Sequence, residues 1–147
     1  MSILAGENVT AARLNRMQPT TYYAVATSDL VGAATGADVV GATVTFSTTA
    51  ANAVYVAQAI FDFDTSGAGT TTIGTGMLAV DGSAQAGQAL LQVGAATAND
   101  RATAGQQWRG TLAATGSHTI KLTATIPANM EINATHTTLL LTVYEVV

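Results

Sequence analysis

From His118 to Ile126 the chain alternates with period two. His118, Ile120, Leu122, Ala124 and Ile126 share one side; Thr119, Lys121, Thr123 and Thr125 share the other. A strand buried on one face and wet on the other reads this way. The same period runs less cleanly through Val39 to Phe46, Ala53 to Phe63, Ile73 to Val80, Gln88 to Val93, Gln106 to Ala113 and Thr137 to Val147. Turn-forming residues separate these segments: Thr65-Ser66-Gly67-Ala68-Gly69, Asp81-Gly82-Ser83, Ala98-Asn99-Asp100 and Thr115-Gly116-Ser117. Many short strands with Gly- and Asp-rich turns predict an all-β fold, a jelly-roll-type β-sandwich.

At 147 residues the chain has the size of one domain. Only 10% of it is charged, against about 25% in an ordinary soluble domain. That excludes a charge-rich disordered chain, and it suits a subunit that covers much of its surface with partners. A net charge of −4 with five Lys plus Arg argues against nucleic acid, which needs clustered cations. Without cysteine there are no disulfides and no thiolate metal sites. Met1 to Asn8 lacks the basic start and apolar run of a signal peptide. Val39 to Phe61 is uncharged and long enough to cross a bilayer. It holds Gly41, Thr43, Thr45, Ser47, Thr48, Thr49, Asn52 and Gln58, however, and reads as two strands and a turn, with no membrane contact.

Motifs that could carry chemistry are incomplete. Asp62-Phe63-Asp64-Thr65-Ser66-Gly67 has oxygen donors at calcium-loop spacing, but the twelfth place, which needs a bidentate Glu, is Ile73. His118 and His136 are the only histidines; no Gly-x-Ser-x-Gly elbow and no His-x-x-x-His pair accompanies them. Gly67-Ala68-Gly69 and Gly74-Thr75-Gly76 lack the following helix and Lys of a phosphate loop. Asn8-Val9-Thr10 and Asn133-Ala134-Thr135 match the glycosylation sequon, which carries meaning only on a secretory route. Tyr22, Tyr23 and Trp108 could form a sugar platform, though packing is the simpler reading. No catalytic residue, metal or cofactor is therefore expected.

Residues 1–30 read as an N-terminal arm without its own core and 31–147 as the head. Asn8 or Thr10 can cap a helical turn or two, and Pro19 closes that segment. Arg13 and Arg16, two of the five cations, are three residues apart, and Val9, Leu14 and Met17 form a partial apolar stripe. Together, Val9, Arg13, Leu14, Arg16 and Met17 are the candidate partner-binding set. In the last strand Leu139, Leu141 and Val143 face one side, and Leu140, Tyr144 and Val146 the other. A strand apolar on both faces is buried on both, or lies between its own core and another subunit. Leu139, Leu141, Val143 and Tyr144 are thus expected at a homo-oligomer interface.

The opening phrase from Ala5 to Pro19, with Gly6-Glu7-Asn8-Val9-Thr10-Ala11-Ala12-Arg13-Leu14-Asn15, resembles the start of small virion proteins of tailed phages infecting actinobacteria. Ala104 to Leu112 and Gly116 to Leu122 resemble paired strands of their heads. The resemblance implies a trimeric jelly roll similar to tumour-necrosis-factor-like heads, located in the virion, without catalytic function. It further implies a major capsid protein or another virion protein as partner. Such proteins decorate capsids or sit in tails. This chain has neither heptads nor a Gly-x-y shaft, so capsid decoration is the first expectation. A tail-fibre or tail-tip protein that binds a host receptor or glycan is the alternative.

Overall fold

The alternating segments pair into two antiparallel sheets whose apolar sides face each other. A computed structural model describes Ala11, Leu14 and residues 18–145, with the backbone alone for Thr70. The strands are β1 (Thr20–Val25), β2 (Leu30–Val31), β3 (Ala34–Thr48), β4 (Ala53–Thr65), β5 (Gly69–Val80), β6 (Ser83–Ala84), β7 (Ala89–Ala96), β8 (Ala102–Leu112), β9 (Gly116–Ile126), β10 (Met130–Ile132) and β11 (Thr138–Tyr144). A short 3-10 turn, Ala134–His136, precedes β11. One sheet runs β1-β11-β4-β8, with β10 and β2 continuing beside the far end of β4; the other runs β3-β9-β5, with β7 and β6 along β5. Edge strands β1 and β3 meet on one side and β7 and β8 on the other, which closes the sandwich. The expected strands are all present, and the segment from Val39 to Phe61 is indeed two strands and a turn.

Between the sheets, Phe61, Phe63, Leu78, Ile120, Leu122, Met130, Ile132, Leu139 and Leu141 are fully buried. Each large apolar side chain contributes on the order of 2 kcal/mol. The spaced glycines of β5 find their explanation here. A Cβ at Gly76 would stand 2.6 Å from the Phe61 ring, and one at Gly74 would meet Phe63 and Met130. These glycines make room for aromatic rings instead of a phosphate. Trp108 packs in the core as well, its Nε1–H donating to the Gly87 carbonyl at 3.1 Å.

One boundary of the sequence reading moves. Residues 20–25, assigned above to the arm, form β1 and pair with β11 from Thr20↔Val143 to Val25↔Thr138. Tyr22 turns inward and stacks on Phe46 at 5.2 Å between ring centroids. The next segment hugs β3, where Thr27 N–H donates to the Val40 carbonyl. That approach requires Gly41 (φ +87°), since any Cβ there would lie 2.6 Å from Thr27. The head therefore begins near Thr20.

Candidate functional site

Because side chains alternate across a strand, each strand of the β1-β11-β4-β8 sheet has a second set pointing away from the core. The register sets them in rows. Tyr144, Val54 and Thr111 form one, and Thr21, Thr142, Val56 and Arg109 the next. Tyr23, Leu140, Gln58 and Gln107 follow, then Val25, Thr138, Ile60 and Gly105. Tyr23 is 64% exposed, Ile60 46%, Tyr144 44% and Leu140 38%. With Val25 they are five of the ten large apolar side chains exposed among the described residues. The face is shallowly concave. Val54, Val56, Arg109 and Tyr144 line a cavity of about 350 Å³, and Val56, Gln58, Gln107, Leu140, Thr142 and Tyr144 line an adjoining one of about 360 Å³.

Charge is nearly absent from this patch. Among the described residues, Arg101 pairs with Asp62 and Lys121 with Asp38 at 2.6 Å, whereas Arg109 has no carboxylate partner. The carboxylates on the same side of β4, Asp62 and Asp64, lie beyond Ile60. Asp62 is buried against Arg101, which Asp64 also faces electrostatically. A lone guanidinium beside valine and tyrosine can bury apolar area and accept one carboxylate in fork geometry.

The expected interface residues divide. Leu139, Leu141 and Val143 are 0%, 0% and 4% exposed and fill the chain's own core, so they are unavailable to a neighbour. Only Tyr144 of that set faces outward. The reason is that β11 has a sheet beneath it, and the longer aliphatic set fills that gap. Of the outward residues, Leu140 lies on the side the sequence shares with Tyr144, whereas Val54, Val56 and Arg109 stand in none of the expected sets. The alternation in Ala53 to Phe63 carries the signal for Val54 and Val56, which share one parity with Gln58 and Ile60. Of the arm set, Val9, Arg13, Arg16 and Met17 lie outside the described residues. Leu14 has helical backbone and is half exposed.

The candidates for chemistry are engaged structurally. Asp62 and Asp64 belong to β4 and not to a loop, and the Arg101 guanidinium occupies the Asp62 carboxylate that a calcium ion would need. Among the described residues no three His, Asp or Glu side chains are grouped to hold a metal. His118 is buried, with Nδ1 2.7 Å from Asp81 Oδ2 and Nε2 3.2 Å from the Ala114 carbonyl. His136 sits exposed in the 3-10 turn. Tyr22, Tyr23 and Trp108 do not share a surface: Trp108 is buried, Tyr22 faces Phe46, and Tyr23 points outward. No helix among the described residues is long and apolar enough to cross a membrane.

No protein-family model matches the chain, and no curated protein does. Among solved structures, murine APRIL at pH 8.5 aligns with 86% of this chain and 99% of its own, at 11% identity and a TM-score of 0.50. A chain of the IBDV viral particle aligns with 86% of this one and 31% of its own, at 15% identity and a TM-score of 0.44. The CBM36-1 domain of a multidomain xylanase from the hindgut metagenome of Trinervitermes trinervoides covers 84% of this chain and 96% of its own, at 12% identity and a TM-score of 0.45. At such identities the likeness concerns fold alone. The chain is an all-β, jelly-roll-type sandwich of tumour-necrosis-factor-like architecture.

Proposed function

We propose that this is a non-enzymatic structural protein of a phage virion, a homotrimer that decorates the capsid lattice and stiffens it. The observation that carries the reading is the outer face of the β1-β11-β4-β8 sheet, where β1, β11 and β4 expose Tyr23, Val25, Leu140, Tyr144 and Ile60 and β8 adds Arg109, the one charge. Contiguous exposed apolar area of this kind marks association with other protein. The arm phrase from Gly6 to Asn15 supports the virion setting, with Val9, Arg13, Leu14, Arg16 and Met17 as the lattice contact. A trimer with three arms gains effective affinity on a repeating lattice without any deep pocket. A structural role also agrees with His118, whose ring nitrogens meet a carboxylate and a backbone carbonyl and no nucleophile.

The copy number per particle tests this. On a stained gel of purified particles, decoration gives a band of hundreds of copies, comparable with the major capsid band. A handful of copies instead supports the second reading, a tail tip that binds a receptor or glycan. The Tyr144–Arg109 cavity favours that alternative in one respect, since an aromatic face beside a guanidinium suits an acidic sugar. An activity abolished by His118→Ala or His136→Ala would overturn both.

A further inference from the structure

We infer that His118 makes one end of the head sensitive to pH. With hydrogen on both ring nitrogens it clasps the β5–β6 and β8–β9 turns together, and loss of one proton frees the β8–β9 turn.

The ring is buried, with Phe46 beside it at 5.9 Å between centroids. Its Nδ1 lies 2.7 Å from Asp81 Oδ2 and its Nε2 3.2 Å from the Ala114 carbonyl. Both partners are acceptors. A neutral imidazole offers one N–H and one lone pair and satisfies a single acceptor, whereas the imidazolium donates to both. Flipping the ring exchanges the nitrogens and leaves the same two acceptors opposite. In the neutral form a lone pair therefore faces an oxygen out of reach of water, and a buried polar atom without a partner is costly.

Of the two contacts, the one to Ala114 is the weaker. Asp81 is a charged acceptor and the nearer one, so the last hydrogen stays on Nδ1. Burial by itself raises the Asp81 carboxyl, but the hydrogen bonds from His118 and Thr119, with the His118 charge, outweigh it and keep the group ionised. The Ala114 carbonyl is left with the Thr48 hydroxyl at 3.3 Å. Ala113, Ala114 and Thr115 are all exposed, so no packing replaces the lost bond.

The other charges nearby are engaged elsewhere. From β3 come Phe46 and Thr48, neither of them ionisable. Lys121, further along β9, pairs with Asp38, and Glu145 accepts the Thr49 N–H at 2.9 Å. Among the described residues, Asp81 is the carboxylate that pairs with the ring. Two acceptors favour the ring that carries two hydrogens. The stability this proton adds is present in acid and lost as pH rises. The Asp81 contribution runs the other way and is lost in stronger acid, so pH separates the two.

Proton–nitrogen NMR of the full chain from about pH 5 to about pH 8, the range in which imidazole changes charge, tests the inference. His118 should carry hydrogen on both ring nitrogens at the acid end and on Nδ1 alone at the other. Exposed His136 serves as the reference. Over the same interval, amide exchange at Gly116 and Ser117, corrected for the intrinsic effect of pH, should rise, while that at Leu122 stays level. The wild type should melt about 3 °C above His118→Gln at the acid end, the effect of one hydrogen bond, and level with it at the other. Should His118→Gln fail to fold, Asp81→Asn takes its place and should move the ring transition to lower pH. One hydrogen on the ring at every pH overturns the inference. So does titration of the ring without a response at Gly116 and Ser117, or a melting gap that grows with pH.

Discussion

His118 Nδ1 lies 2.7 Å from Asp81 Oδ2, tying the start of β9 to the turn between β5 and β6. The same carboxylate accepts the Thr119 N–H at 2.8 Å through its other oxygen. Asp81 has φ +49° and Gly82 +83°, the left-handed pair that a two-residue hairpin turn requires.

Partial desolvation by itself raises the Asp81 carboxyl. The hydrogen bonds from His118 and Thr119, together with the His118 charge, outweigh it and hold the group below the ordinary carboxylate range. A depressed folded-state pKa adds stability that is fully present above the unfolded value and is lost as pH falls through the folded one. Asp81→Asn keeps the left-handed backbone and removes the charge. It should lower the melting temperature by about 3 °C. That gap should close as pH drops from about 5 to about 2. Thermal melts of both proteins across that range check it, and a gap that widens in acid contradicts the assignment.

On β11, neighbouring leucines should respond in opposite ways. Leu141 is fully buried, so Leu141→Asp places a carboxylate in the core and should cost more than about 4 kcal/mol, enough to unfold the head. Leu140→Asp points outward and should leave the circular dichroism spectrum intact while dissociating the assembly. Urea denaturation and light scattering separate the two outcomes.

Asp62 is buried at 1% exposure and depends on Arg101. Arg101→Gln should lower the melting temperature by several degrees, because it strands a buried charge. Adding Asp62→Asn should recover part of the loss. If single and double variants melt alike, the ion pair is not what holds the β4 end to the segment before β8.

At Gly76 the Phe61 ring occupies the place of a side chain. Gly76→Ala should destabilise the head by about 1–3 kcal/mol through overpacking, measurable as a lower urea midpoint with an unchanged slope. Gly82→Ala in the exposed turn, where no neighbour would meet the added carbon, tests the backbone conformation alone.

A form beginning at Gln18 retains β1 and should keep the fold and the oligomeric mass. On the proposed role of the arm it should fail to bind particles lacking the protein. Decoration at wild-type density by this form would move the lattice contact into the head.

Period-two alternation is a local property, so His118 to Ile126 and its companions could be read as strands from the sequence alone. The turns at Asp81-Gly82 and Ala98-Asn99-Asp100 were equally legible, because their conformational demand lies within a few residues. The strand β1 escaped this reading. It follows Pro19, and only Tyr22, Ala24 and Val25 hint at a strand until Phe46 and β11 are brought against it. The role of Gly76 depends on Phe61, fifteen positions earlier in the chain, and the burial of Asp62 is matched by its hydrogen bonds from Arg101, thirty-nine later. The last strand shows the limit most clearly. Its sequence is apolar on both faces and does not say which of the two the core takes. Tertiary packing put Leu139, Leu141 and Val143 against the opposite sheet and left Leu140 and Tyr144 beside Val54, Val56 and Arg109. Alternation along one strand sets which residues go together; which set lies inside depends on the strands and sheet packed around it.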